Sequence, residues 1–133
     1  MYKHKVQYYE TDRMGITHHS NYIRWMEEAR IDFLERTGWS YDRLEGEGII
    51  SPVLKVSCQY KRSTTFPDEI LVDVKVKEFN GVRLVIGYEM RKNNDEEIVF
   101  IGESEHCFLD KESKPVMIKK EYPEFYRTLV EMI

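Results

Sequence analysis

The chain has 133 residues, 41% of them hydrophobic and 33% charged, with a formal net charge of −4. That length suits a single domain over residues 1–133 with a true core, and the acidic balance excludes a protein that grips nucleic acid through a surplus of Lys and Arg. Cys58 and Cys107 lie far apart in no paired spacing, the N-terminal run has no apolar core for a signal peptide, and no stretch approaches a membrane span, so a cytoplasmic protein without a membrane partner is expected.

Residues 3–10 read as a first strand, ending where Glu10-Thr11-Asp12 opens a turn that contains Gly15. Ser20 reads as a helix N-cap, its hydroxyl placed to accept from the first orphan amides. From Asn21 to Arg36, Tyr22, Trp25, Met26, Ala29 and Phe33 recur at the helical period, and Gly38 stops the helix. A short second helix is expected over Ser40–Glu45, closed by Gly46.

The remainder alternates with period two. Strands are expected over 54–61, 70–77, about 82–90 and about 97–109, with a last helix over 122–132 starting near Pro123. Asn80-Gly81 marks a hairpin. A two-residue loop would throw the even-numbered apolar rows of the flanking strands onto opposite faces. A three-residue loop, Phe79-Asn80-Gly81 with Gly81 left-handed, aligns them. One strand, one long helix and four consecutive antiparallel strands make an α+β pattern, not a parallel sheet.

Several familiar sites are absent. Gly102-Glu103-Ser104-Glu105-His106 fails as a nucleophile elbow, and Gly46-Glu47-Gly48 does not open a dinucleotide loop. The cysteines and histidines lack zinc spacing, so neither metal nor cofactor is called for. What stands out is the polar, aromatic stretch from Tyr8 to Tyr22, which runs straight into the long helix. A helix entrance offers unsatisfied amides and partial positive charge, suited to the oxygen of a carbonyl under attack. A carboxylate just upstream can attack or activate water. Asp12, Gly15 and His19 fit those parts. Asp12 also fits a plain turn residue with an Asx-type bond, His19 a packing or hydrogen-bonding histidine, and His18 a solvated neighbour.

Glu10-Thr11-Asp12-x-Met14-Gly15-x-x-His18-His19-Ser20-Asn21-Tyr22-x-x-Trp25-x-Glu27-x-Ala29-Arg30 resembles the signature of the 4-hydroxybenzoyl-CoA thioesterase family. The resemblance is dense over residues 8–30 and extends to the rest of the chain in layout only. It implies a hot-dog fold, a curved antiparallel sheet of about five strands around one long helix. It also implies metal-free hydrolysis of an acyl-CoA, in a homodimer or homotetramer with active sites at the subunit interface. On this resemblance Asp12 is nucleophile or general base, and the amide near His19 faces the oxyanion. Gly15, His18, Asn21 and Tyr22 join as substrate-binding positions. Arg62 and Ser63, beside Lys61 at a strand end, face the coenzyme A phosphates or are simply a solvated strand end. Glu28 is a second carboxylate candidate. A hydratase on the same fold and a non-catalytic acyl-CoA-binding module are the competing functions.

Overall fold

The computed structural model describes residues 1–133. In chain order it contains β1 (Tyr2–Lys5), a 3-10 turn (Tyr8–Glu10), α1 (Ser20–Thr37), α2 (Tyr41–Gly46) and β2 (Val53–Tyr60). There follow β3 (Glu69–Phe79), β4 (Leu84–Lys92), β5 (Ile98–His106), α3 (Ile118–Glu121) and α4 (Pro123–Val130). The strands form one sheet in the order β1-β3-β4-β5-β2, with Tyr2 opposite Val72 and His4 opposite Ile70 in the antiparallel pairing of β1 with β3. This is the α+β hot-dog arrangement expected. No helix is long and apolar enough to cross a membrane.

Two compact units make up the chain: residues 1–33, 58–74 and 88–102, and residues 34–57, 75–87 and 103–133. In the first, Tyr22, Trp25, Met26 and Ala29 are the buried stripe that the 3.6-residue period called for, joined by Ile70, Val72, Tyr88, Met90 and Phe100. Tyr22 stacks on Phe100 at 5.1 Å between ring centroids. Gly102 keeps that face close-packed, since a Cβ there would sit 2.7 Å from the Phe100 ring and 3.2 Å from Met26 Cε. In the second unit, Trp39, Phe79, Phe108, Phe125 and Tyr126 form a chain of ring contacts, and Leu34, Leu44, Ile86, Ile118 and Leu129 are buried with them.

Local outcomes correct parts of the sequence reading. Phe33 is half-buried and Leu34 takes the next core position. The first strand stops early: Val6 still donates to Asp68 O, but the buried Glu10 carboxylate turns back to accept from the Gln7 amide, and the chain leaves the ladder. Ser20 is the first residue of α1 and not its cap. Its hydroxyl pairs with His18 Nδ1 at 2.8 Å. Ser40 does cap α2, accepting from the Arg43 amide. The helix expected over 122–132 is α4, and the short α3 before it was not foreseen.

The hairpin reaches the expected result by another route. Gly81 has φ +92°, as a left-handed residue should. Asn80 N donates to Arg83 O, and Asn80 Oδ1 accepts from the amides of Val82 and Arg83, so Gly81 and Val82 are the central residues of a two-residue turn. The buried row of β3 passes from even positions (Ile70, Val72, Val76) to the odd Phe79. The parity change therefore falls inside the strand, between Val76 and Phe79, and not in the loop.

Candidate active site

Asp12 lies on a loop pinched shut by an isolated antiparallel bridge between Thr11 and Thr17. Its amide donates to Ile16 O at 2.8 Å, and its carbonyl accepts from Gly15 N at 3.0 Å. Its Oδ1 accepts from Met14 N at 2.8 Å, an Asx turn that holds the carboxylate in one orientation while Oδ2 keeps no protein partner. The turn closes through Gly15, whose φ of +78° costs little without a Cβ, and Thr65 Oγ1 donates to the Gly15 carbonyl.

The loop delivers the chain to the mouth of α1, where the amides can be accounted for one by one. Thr17 N donates to Thr64 O and His18 N to Glu10 O, both at 2.8 Å. Ser20 N turns to His18 Nδ1 at 3.3 Å, and Asn21 N donates to His18 O at 3.0 Å. The amide of His19, in the middle of this set, has no protein acceptor. One open N–H at the positive end of an 18-residue helix is a donor ready for an anionic oxygen.

Two features behind this entrance carried no signal in the residue spacing. Glu10 is only 5% exposed, yet it is an acid. Its Oε1 accepts from Gln7 N and lies 2.8 Å from His4 Nε2, and its Oε2 accepts from Trp25 Nε1 at 2.9 Å. Burial pushes its carboxyl upward, but the hydrogen bonds from Gln7, His4 and Trp25 outweigh that and hold it below its ordinary value. The second feature is a buried hydroxyl cluster. Thr64 Oγ1 lies 2.6 Å from Thr17 Oγ1 and 2.9 Å from the Tyr22 hydroxyl.

Beside the helix entrance is a cavity of about 230 Å³. Ile16, Thr17, His19 and Tyr22 line one part of it, and Tyr60, Lys61, Arg62 and Ser63 the other. Four positions singled out in the sequence thus meet: His19, Tyr22, Arg62 and Ser63. Asp12 and Gly15 sit on the loop that leads into its Ile16–Thr17 wall. His18 and Asn21 do not line it. The His18 ring stacks on His19 at 4.2 Å, and Asn21 Nδ2 donates to the carbonyls of Glu10 (2.9 Å) and His18 (3.3 Å). Glu28 lies away from the cavity, accepting from the Tyr2 hydroxyl and 3.5 Å from His4 Nδ1.

Tyr60, read in the sequence only as part of a strand's alternation, stands between cavity and helix, its hydroxyl donating to His19 O at 3.2 Å. Burial, with Cys58 and Tyr22 adding to it, pushes the Tyr60 phenol up to about 12, so at neutral pH it remains a neutral donor. Arg62 pairs with Glu97, and with Ser63, Lys92 and Asp95 it also lines an adjoining cavity of about 270 Å³.

Comparison with known proteins agrees over nearly the full chain. A family model described as the thioesterase-like superfamily matches residues 6–127. The Bacillus subtilis protein named "Putative acyl-CoA thioesterase YneP" is 34% identical over 123 residues, 92% of this chain and 88% of that one. A "Putative esterase" of Aquifex aeolicus is 35% identical, covering 93% of this chain and 94% of its own. Among solved structures, a DHNA-CoA thioesterase from Staphylococcus aureus superposes with a TM-score of 0.91 at 30% identity, over 98% of this chain and 87% of that one.

Proposed function

The chain belongs to the thioesterase-like superfamily and is a thioester hydrolase, and from that premise we propose that it cleaves acyl-CoA to a free acid and coenzyme A at the entrance of α1. The observation that carries this reading is the unclaimed His19 amide, beside a cavity and a few residues after a carboxylate fixed in an Asx turn. The thioester carbonyl lies with its oxygen toward the His19 N–H. Asp12 acts as general base, taking a proton from water as the oxygen of that water bonds to the carbonyl carbon, or as nucleophile, forming a mixed anhydride that water then opens. Negative charge collects on the carbonyl oxygen, where the amide and the α1 dipole hold it. As that charge returns to the carbon the C–S bond breaks and the thiolate leaves, taking up a proton from solvent. This step gives the free acid directly on the general-base route, and on the nucleophilic route it gives the anhydride before water opens it. Arg62, Lys61 and Ser63 face the phosphates of coenzyme A.

The active unit is a homodimer or a dimer of dimers. β2 stands at the edge of the sheet and is exposed at every residue but the half-buried Cys58, with Val53, Leu54, Val56 and Tyr60 among the large apolar side chains left open. Such an edge takes a second copy or aggregates. The strand ends at Tyr60, so a partner added there lies beside the residue 60–63 wall of the cavity.

Thiol release from a short, a long and an aromatic acyl-CoA tests the reaction. The native protein should release thiol from at least one, and Asp12→Asn should lower kcat roughly a hundredfold or more. A native protein inert across a broad panel would point to a binding module, and full activity in Asp12→Asn would move the carboxylate role elsewhere. Sedimentation showing a monomer at assay concentrations would remove the dimer.

A further inference from the structure

We propose that Glu10 is a positioning residue for this reaction: it holds the Asp12 loop to the mouth of α1 and determines which amide there stays open. The inference rests on the reading of Asp12 and the His19 amide given above.

Glu10 works with two arms. Its carboxylate is gripped from three places: by His4 on β1, by the Gln7 amide at the cap of the 3-10 turn and by the Trp25 indole on the second turn of α1. Its carbonyl is gripped by two groups at the helix entrance, the His18 amide and Asn21 Nδ2. Five donors from four parts of the chain thus converge on one residue, two positions before Asp12. The carbonyl arm engages the amide next to His19. With His18 N–H spent on Glu10 O, and Ser20 and Asn21 spent on His18, the His19 N–H is the one that remains.

An acid is needed here, not merely a polar group. Oε1 faces a backbone N–H and Oε2 an indole N–H, and neither donor can become an acceptor. A glutamine in either amide orientation sets its NH2 against one of them. His4 is itself held on its far side, with Nδ1 3.5 Å from Glu28 and its ring 4.7 Å from Trp25, so it cannot swing to accommodate the change. Glu10→Gln therefore shifts the turn, and with it the loop and the open amide. A displacement on the order of 1 Å at a reacting centre costs about a hundredfold in rate. The loss falls on kcat, because the groups displaced act on the transition state, while the wall at residues 60–63 is untouched.

The test is steady-state thiol release by Glu10→Gln, with Asp12→Asn in parallel and folding followed by circular dichroism and thermal melts. Glu10→Gln, folded at the assay temperature, should lose about tenfold to a hundredfold in kcat with KM within about twofold of native. Adding Trp25→Phe removes the indole donor that opposes the glutamine NH2 and should return part of that kcat. Should Glu10→Gln fail to fold, Asn21→Ala decides, since it removes a donor of the carbonyl arm, together with the longer contact to His18 O, and leaves the carboxylate arm intact. A fall in kcat at constant KM supports the proposal. Native kcat, or a rise in KM alone as for a substrate contact, overturns it. A folded Glu10→Gln with native kcat beside an inactive Asp12→Asn also overturns it and leaves the Asp12 reading standing. An active Asp12→Asn removes that reading instead.

Discussion

The Tyr22 hydroxyl lies 2.9 Å from Thr64 Oγ1, which binds the first turn of α1 to the segment between β2 and β3. Both residues are almost fully buried. Tyr22→Phe keeps the ring and its stack on Phe100 but deletes the hydroxyl, and Thr64 retains its bond to Thr17. The loss should be that of one neutral buried hydrogen bond, about 1 kcal/mol in urea denaturation. The phenol is pushed upward by burial and so stays protonated at working pH. It supplies no base to the chemistry, and kcat should change little. A large kcat loss at native stability would place Tyr22 against the reacting atoms.

Gly15→Ala tests the Asp12 loop separately. A Cβ at Gly15 meets nothing within 4 Å, so sterics add no cost, but the residue sits at φ +78°. An alanine held there costs about 1–2 kcal/mol. Because the Gly15 N–H closes the backbone turn onto Asp12 O, directly after the Met14 amide that holds the carboxylate, relaxation of the alanine toward negative φ also turns the carboxylate away. The expected outcome is a modest drop in melting temperature with a larger proportional drop in kcat. Equal stability with unchanged kcat would show that the loop adjusts without moving Asp12.

What could be read before the structure follows from the range of the forces involved. The α1 stripe and the strand rows were legible because burial repeats at 3.6 and 2.0 residues, and Tyr22, Trp25, Met26, Val72 and Ile86 obey those periods. The need for one extra residue near the hairpin was legible from parity. Where it goes was not, because the Asn80 side chain secures a two-residue turn that local composition does not announce. Asp12 and His19 stood out because the helix entrance is a local feature. Glu10 stood beside them unread: its burial depends on His4 and Trp25, which the fold, not the chain order, brings to it. Tyr60 escaped for the same reason, its contact with His19 spanning 41 positions.

Acid should weaken the fold through Glu10. In the unfolded chain its carboxyl titrates near 4.5, and in the folded protein it lies below that value. The folded state therefore binds this proton less readily, and the resulting stability is fully present above pH 4.5 and lost as pH falls through the folded pKa. Glu10→Gln has no such group. Urea midpoints of the native protein and of Glu10→Gln should stand furthest apart at neutral pH and converge as pH drops below about 4.5. A separation that stays constant down to pH 3 would mean that the charge on Glu10 contributes nothing to stability.

Arg62 offers the clearest separation of binding from chemistry. Its guanidinium is exposed, pairs with Glu97, and reaches two adjoining cavities. An exposed charge contact of this kind is worth up to about 1 kcal/mol and is screened by salt. If Arg62 meets the coenzyme A phosphates, Arg62→Ala should raise KM about twofold to fivefold at low salt, less at high salt, and leave kcat alone. Glu97→Gln, by releasing Arg62 from its partner, should lower KM. A truncated thioester without the nucleotide and its phosphates supplies the control, since its KM should not respond to either substitution. If Arg62→Ala raises KM equally for the truncated substrate, the contact is to the acyl-pantetheine end, and the phosphates lie against another part of the surface.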